Sequence, residues 1–116
     1  MDFVKTLFKK YNILFTEDNI TFNIIDLFIN NNINENNTDV IYVRYVGLYH
    51  RHITKNYEEM KKYYLRAIEK GDSTAMNNLG LYHENITKNY EEMKKYYLMA
   101  IEKGNNYSMS NLKKVL

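Results

Sequence analysis

The sequence contains no cysteine, no proline and no tryptophan, and four glycines among 116 residues. Without cysteine there is no disulfide framework, no thiolate nucleophile and no thiolate metal site, whatever the redox compartment. Long apolar runs are missing as well. No window approaches the roughly 18 to 20 uninterrupted apolar residues that a membrane span requires, so no membrane partner is expected. The opening Met1-Asp2-Phe3-Val4-Lys5 lacks a basic segment followed by an apolar stretch and a small-residue cleavage site, which leads to the expectation of an intracellular, cytoplasmic protein. An excess of one charge is absent too: 16 basic and 14 acidic residues leave a formal net charge of +2. Their interleaving gives no strong long-range field for steering polyanions, so nucleic acid is not the expected partner.

The residues in short supply, among them Ala 3 and Arg 3, have GC-rich codons, whereas Asn 17, Lys 13, Tyr 12 and Ile 11 dominate. That skew fits an AT-rich genome, and single Asn residues therefore carry little weight. The Asn-x-Ser/Thr triplets at Asn19, Asn36, Asn85 and Asn106 are read as accidental for that reason. A chain of this length is expected to form one domain, burying a little over roughly 60% of its unfolded surface.

What the sequence does contain is a repeat of 33 residues. Residues 39–71 laid over 72–104 agree at 23 positions, including the unbroken block from Ile53 to Leu65 against Ile86 to Leu98. A third copy begins at Asn105 and runs to Leu116. The division is thus an N-terminal helical cap with an Asn-rich loop over 1–38, repeat 1 over 39–71, repeat 2 over 72–104, and a single helix of a third repeat over 105–116. Repetition at this period marks stacked supersecondary units, none of which buries its apolar face alone.

Each unit reads as two helices. In the second, Asn56 with Glu59 and Asn89 with Glu92 match an N-cap followed by a capping-box acid. From there Tyr57, Met60, Tyr64, Ala67 and Ile68, and again Tyr90, Met93, Tyr97, Ala100 and Ile101, recur at steps of three and four and are expected in the core. Glu58 with Lys62 and Glu91 with Lys95 form i, i+4 pairs on the opposite face. Lys70-Gly71 and Lys103-Gly104 end the helix with a cation and a glycine suited to the left-handed cap, and the next helix starts at Asp72 or Asn105.

The first helix of the unit carries Tyr42, Val43, Val46, Gly47 and His50, matched by Ala75, Met76, Leu79, Gly80 and His83. A mid-helix glycine costs about 1 kcal/mol relative to alanine, so its recurrence points to a helix crossing too close for a side chain. Ahead of the repeats, Val4, Leu7, Phe8 and Tyr11 mark one short helix and Ile20, Ile24, Ile25, Leu27 and Phe28 another. The run from Asn30 to Asn37 reads as a polar loop.

Two patterns, Ala75-x-x-x-Leu79-Gly80 and Tyr63-Tyr64-x-x-Ala67-Ile68-x-x-Gly71 with its copy Tyr96 to Gly104, resemble the Sel-one-like repeat family, relatives of the tetratricopeptide repeats. The likeness covers residues 39–116, about two thirds of the chain. It implies an all-α fold, an α/α superhelix of antiparallel helix pairs whose first helices line a concave face, and a role as adaptor or scaffold without catalytic residues or cofactors. The style of repeat and the composition also resemble repeat proteins of amoeba-infecting giant viruses, which would place this chain in a host cytoplasm. Several residues depart from the family pattern: Met60 and Met93 stand where an alanine is usual, the expected aromatic is displaced to Tyr82 with His83 in its slot, and the inter-helix loop is short. The family also stacks more units, and the N-terminal cap is expected to supply the missing surface.

Carried across residue by residue, the family's concave positions are Ile41, Arg44, Leu48 and Arg51, then Thr74, Asn77, Leu81 and Glu84, then Tyr107, Ser110 and Lys114. Arginine forks beside leucines suit a peptide or helix carrying carboxylates. His50, His52 and His83 show no metal-ligand spacing and are read as repeat-packing residues. Glu58-Glu59 and Glu91-Glu92 diverge by about 100° around a helix, so a paired acid and base is not expected. Lys61-Lys62, Lys94-Lys95 and Lys113-Lys114 read as solvated faces, and glycine-rich phosphate loops and serine-centred elbows are absent. A second expectation comes from Met109, Leu112, Val115 and Leu116, whose exposure on the last helix would let one copy complete the third repeat of another.

Overall fold

The computed structural model describes residues 38–115, and every element among them is helical, with no strand. The expected N-terminal helices and Asn-rich loop lie outside the described residues, as does Leu116. Five α-helices follow in order: α1 (Val40–Tyr49), α2 (Tyr57–Glu69), α3 (Ser73–Tyr82), α4 (Tyr90–Glu102) and α5 (Asn106–Val115). Between α1 and α2, and between α3 and α4, the short connection proves to be a π-helical turn, π1 (His50–Thr54) and π2 (His83–Thr87). The chain divides into two compact units, Met1–Met60 and Lys61–Leu116.

In the N-terminal unit, α1 starts on the Asp39 carboxylate, which accepts the Ile41 and Tyr42 amides at 2.9 and 3.1 Å. Val43, Val46, Gly47 and Tyr49 are buried along one side of α1. In π1 the backbone amides reach five residues back, which leaves room for a hydroxyl at the His50 carbonyl. Thr54 Oγ1 donates there at 3.4 Å, lies 2.9 Å from His50 Nδ1, and accepts the Asn56 amide at 3.1 Å. Lys55 takes the left-handed conformation, with φ 57°, and Asn56 Oδ1 then accepts the Glu59 amide at 3.2 Å to open α2.

The C-terminal unit repeats this pattern almost atom for atom. Thr87 Oγ1 lies 2.8 Å from His83 Nδ1, donates to the His83 carbonyl at 3.4 Å and accepts the Asn89 amide at 3.1 Å, while Lys88 has φ 58°. The capping box is therefore half-realised: Asn89 Oδ1 accepts the Glu92 amide at 3.2 Å, but the Asn89 amide goes to Thr87 and not to the Glu92 side chain. The threonine is closer because the left-handed lysine folds the chain back onto it. At the other helix ends, Gly71 and Gly104 take φ values of +84° and +85°. The Asp72 and Asn105 amides reach the Ala67 and Ala100 carbonyls, which also accept from Lys70 and Lys103, and the two glycine amides reach Ile68 and Ile101, so carbonyls at the helix end are satisfied. A non-glycine residue in the left-handed region costs roughly 1 to 2 kcal/mol, partly offset by its stiffer unfolded chain. Lys88→Gly is accordingly expected to raise stability by about 0.5 to 1 kcal/mol in urea unfolding. A loss would show that the lysine side chain itself holds the turn.

Packing in this unit centres on Met93, Tyr97 and Leu112, with Leu81 and Ile101 against them. A Cβ at Gly80 would run into the Tyr97 ring, so α3 and α4 cross at the place where side-chain volume is withheld. α5 is tied on by its N-cap: Asn105 Oδ1 accepts the Ser108 amide at 2.9 Å, and Asn105 Nδ2 donates to the Ser73 carbonyl at 3.4 Å. Ser108 Oγ then donates to Asn77 Oδ1 at 2.7 Å, joined by Asn111 Nδ2 at 3.1 Å.

Three sequence expectations are corrected here. Tyr90 is 57% exposed and not in the core. Its counterpart Tyr57 is half-buried with the Arg51 guanidinium 5.8 Å from its ring centre, whereas the residue in the place of Arg51 is Glu84, which can lay no cation on Tyr90. Leu112 is buried, because its side chain faces α4 and not the open side of the last helix, on which Met109 and Val115 remain exposed. Lys95 pairs with Glu92 at 3.8 Å, three residues away, and not with Glu91.

Candidate binding site

The expected concave positions meet different fates. On α1, Ile41 is exposed, Arg44 and Leu48 are half-buried, and the Arg44 guanidinium lies 5.5 Å from the Tyr45 ring centre. Arg51 sits in π1, half-buried over Tyr57. On α3, Thr74 is half-buried, Asn77 is buried in the Ser108 and Asn111 network, Leu81 packs on the core, and Glu84, just beyond the helix, accepts the Tyr97 hydroxyl at 2.8 Å. On α5, Tyr107, Ser110 and Lys114 are all exposed. Within the C-terminal unit, then, Asn77, Leu81 and Glu84 hold helices together, and α5 presents the free side chains.

A second arrangement brings together residues that sequence reasoning assigned to packing and solvent. A depression of about 420 Å³ is lined by Lys61 and Leu65 of α2, Leu79 of α3, His83 of π2, Asn89, and Glu92 and Tyr96 of α4. His83 is 7% exposed. Its ring is parallel to that of Tyr96, at 6° and 5.9 Å between centres, and meets Tyr82 edge-on at 5.0 Å. Lys61 Nζ lies over the Tyr82 ring, 5.6 Å from its centre.

Thr87 holds the imidazole in place: its Oγ1 lies 2.8 Å from His83 Nδ1 and 3.4 Å from the His83 carbonyl, and it accepts the Asn89 amide at 3.1 Å. Burial holds the His83 pKa below the ordinary histidine value; Lys61 and Lys95 push the same way and Glu92 opposes them. The ring is consequently neutral at physiological pH. Among the described residues no group of three His, Cys, Asp or Glu converges on a common point. The signal for this site was in the sequence as His50-x-x-x-Thr54 and His83-x-x-x-Thr87, but which residues the ring faces depends on how α2, α3 and α4 assemble.

Comparison with protein-family models, curated proteins and solved structures finds no match to this chain. The residues themselves carry the functional reading. Other cations are engaged at home: Lys62 and Arg66 lie over Tyr63 at 5.5 and 5.1 Å, and Lys95 over Tyr96 at 5.1 Å. No described helix is long and apolar enough to cross a membrane.

Proposed function

We propose that this chain is a non-enzymatic interaction module, an adaptor or scaffold that acts inside the cell and holds a protein or peptide partner on the first helices of stacked helix pairs. The reading takes the chain as an α/α superhelix of the Sel-one-like type. One observation carries it. The two copies keep the same caps, the same π turn and the same glycine stops, yet they differ at Ile41 and Thr74, Arg44 and Asn77, and Arg51 and Glu84. The caps, the glycine stops and the second helices repeat closely, and the first helices vary ahead of their shared Gly47-Leu48-Tyr49 and Gly80-Leu81-Tyr82, a pattern that supports a variable surface carried on a constant scaffold.

The test is affinity capture from native or host cytosol with the intact chain beside a triple variant, Arg44→Ala, Arg51→Ala and Tyr107→Ala. Tyr107 is chosen because it is 77% exposed and its removal leaves the core intact. Recovery of a specific partner is expected to fall about tenfold in the variant, corresponding to about 1.4 kcal/mol. Equal recovery would dismiss these first-helix positions as the working surface. A second reading, end-to-end self-association, rests on the exposed Leu98, Met109 and Val115 at the C-terminal end. A monomer whose mass is unchanged by concentration would remove it.

A further inference from the structure

We infer that α5 is a hinged helix that swings off α3 and α4 as a unit while those two stay packed, held shut by a polar latch between Ser108 and Asn77. This motion does not depend on the partner-binding reading above, although Tyr107, Ser110 and Lys114 of that surface ride on α5.

The repeat supplies an internal comparison, because α3 and α5 are the same element in successive units. α3 buries Ala75, Met76, Asn77, Leu79, Gly80 and Tyr82 along its ten residues. α5, of the same length, buries only Ser108 and Leu112. Where Met76 and Tyr82 are 4% and 6% exposed, their counterparts Met109 and Val115 are 42% and 40% exposed. Leu112 is thus the single apolar side chain that α5 buries, packed with Met93 and Tyr97.

Polar groups make up the rest of the attachment. Ser108 Oγ donates to Asn77 Oδ1 at 2.7 Å, Asn111 Nδ2 donates to the same oxygen at 3.1 Å, and Asn105 Nδ2 reaches the Ser73 carbonyl at 3.4 Å. On opening, each bond is exchanged for one to water, so its net contribution is small. Against this attachment stands the conformational entropy that α5 regains when it comes loose. The α3–α4 pair is held differently: Tyr97 fills the place left at Gly80 and bonds Glu84, and neither contact involves α5. At the joint, Gly104 has φ +85°, and a Cβ there would meet nothing within 4 Å, so the chain pivots in open space. Elements with few buried apolar contacts are the ones that open locally while the remainder stays folded. Opening withdraws Leu112 from Met93 and Tyr97, frees the Asn77 carboxamide, and carries Tyr107, Ser110 and Lys114 away from α3. A partner that touches both helices therefore closes the latch as it binds.

The experiment is hydrogen exchange of the full chain, read amide by amide by NMR at neutral pH. After correction for intrinsic rates, Asn111, Leu112 and Lys113 are expected to share one opening constant, at least about tenfold larger than that of Leu79, Met93 and Tyr97. Ser108→Ala is expected to raise the α5 constant about fivefold, the ratio for one hydrogen bond, and to leave Met93 and Tyr97 unchanged. Gly80→Ala, which acts on the α3–α4 crossing, is expected to do the reverse. A single constant common to α3, α4 and α5, a graded rise towards Val115 that marks fraying, or a Ser108→Ala effect that is absent or spread equally over α4 would each overturn the assignment.

Discussion

Gly80→Ala is expected to lower folding stability by about 2 kcal/mol, although alanine is the better helix former by about 1 kcal/mol. The cause is on the neighbouring helix. A methyl group at position 80 would overlap the ring of Tyr97, which is fully buried and cannot swing aside without giving up its hydrogen bond to Glu84. Crowding a packed core typically costs 1 to 3 kcal/mol, and here the ring is pinned at both ends, so the upper part of that range applies before the helix-propensity gain is subtracted. Urea unfolding measures the effect, and a double-mutant cycle with Tyr97→Leu assigns it: in the smaller background the Gly80→Ala penalty is expected to shrink or reverse. A Gly80→Ala protein as stable as the parent would show that α3 and α4 can separate at little cost.

Removing the Tyr97 hydroxyl alone, as Tyr97→Phe, is expected to cost about 2 kcal/mol, the range for a hydrogen bond to a charged acceptor. The loss carries a pH signature. Burial, and then the adjoining Glu84 carboxylate, raise the Tyr97 pKa well above the usual value of about 10. The unfolded tyrosine ionises near pH 10 while the folded one keeps its proton, so over that interval the folded state binds more protons and stability falls as pH rises. The Tyr97 contribution is whole below about pH 10 and declines above it, by about 1.4 kcal/mol per pH unit while the folded ring stays neutral. Tyr97→Phe is expected to lose that part of the alkaline slope. The remaining tyrosines titrate in both proteins, so the difference between the two pH profiles is the measurement. Parallel profiles would mean that Glu84 does not hold the hydroxyl.

Glu84 also shows how the expected binding face and the scaffold trade residues. Its place in repeat 1 is taken by Arg51, whose guanidinium lies over Tyr57. In repeat 2 the carboxylate has moved to the Tyr97 hydroxyl, and Tyr90 is left exposed. Equivalent positions in two nearly identical units thus serve different neighbours. Asn77 is a parallel case: by sequence it belongs with Thr74 and Leu81 on an open face, but its carbonyl oxygen binds Ser108 and Asn111, more than 30 positions along the chain.

The sequence by itself determined what is settled within a few residues. Asn56, Asn89 and Asp72 start helices because a side-chain oxygen reaches an amide three residues on, and Gly71 and Gly104 stop them because only a residue without Cβ turns left-handed at no cost. Helical class, repeat boundaries and most of the buried stripe follow from that local chemistry and from the spacing of apolar residues. The tertiary structure alone decided the rest. Tyr90 and Leu112 exchange places between core and surface, Asn77 becomes internal, and Lys61, His83 and Tyr96 converge from separate elements on one depression. Each of these depends on which helix covers which, and burial is a property of pairs of surfaces that no single periodic stripe can specify. The withheld side chain at Gly80 is the one place where the two kinds of information meet: the sequence marks that something must come close, and the fold supplies the Tyr97 ring that does.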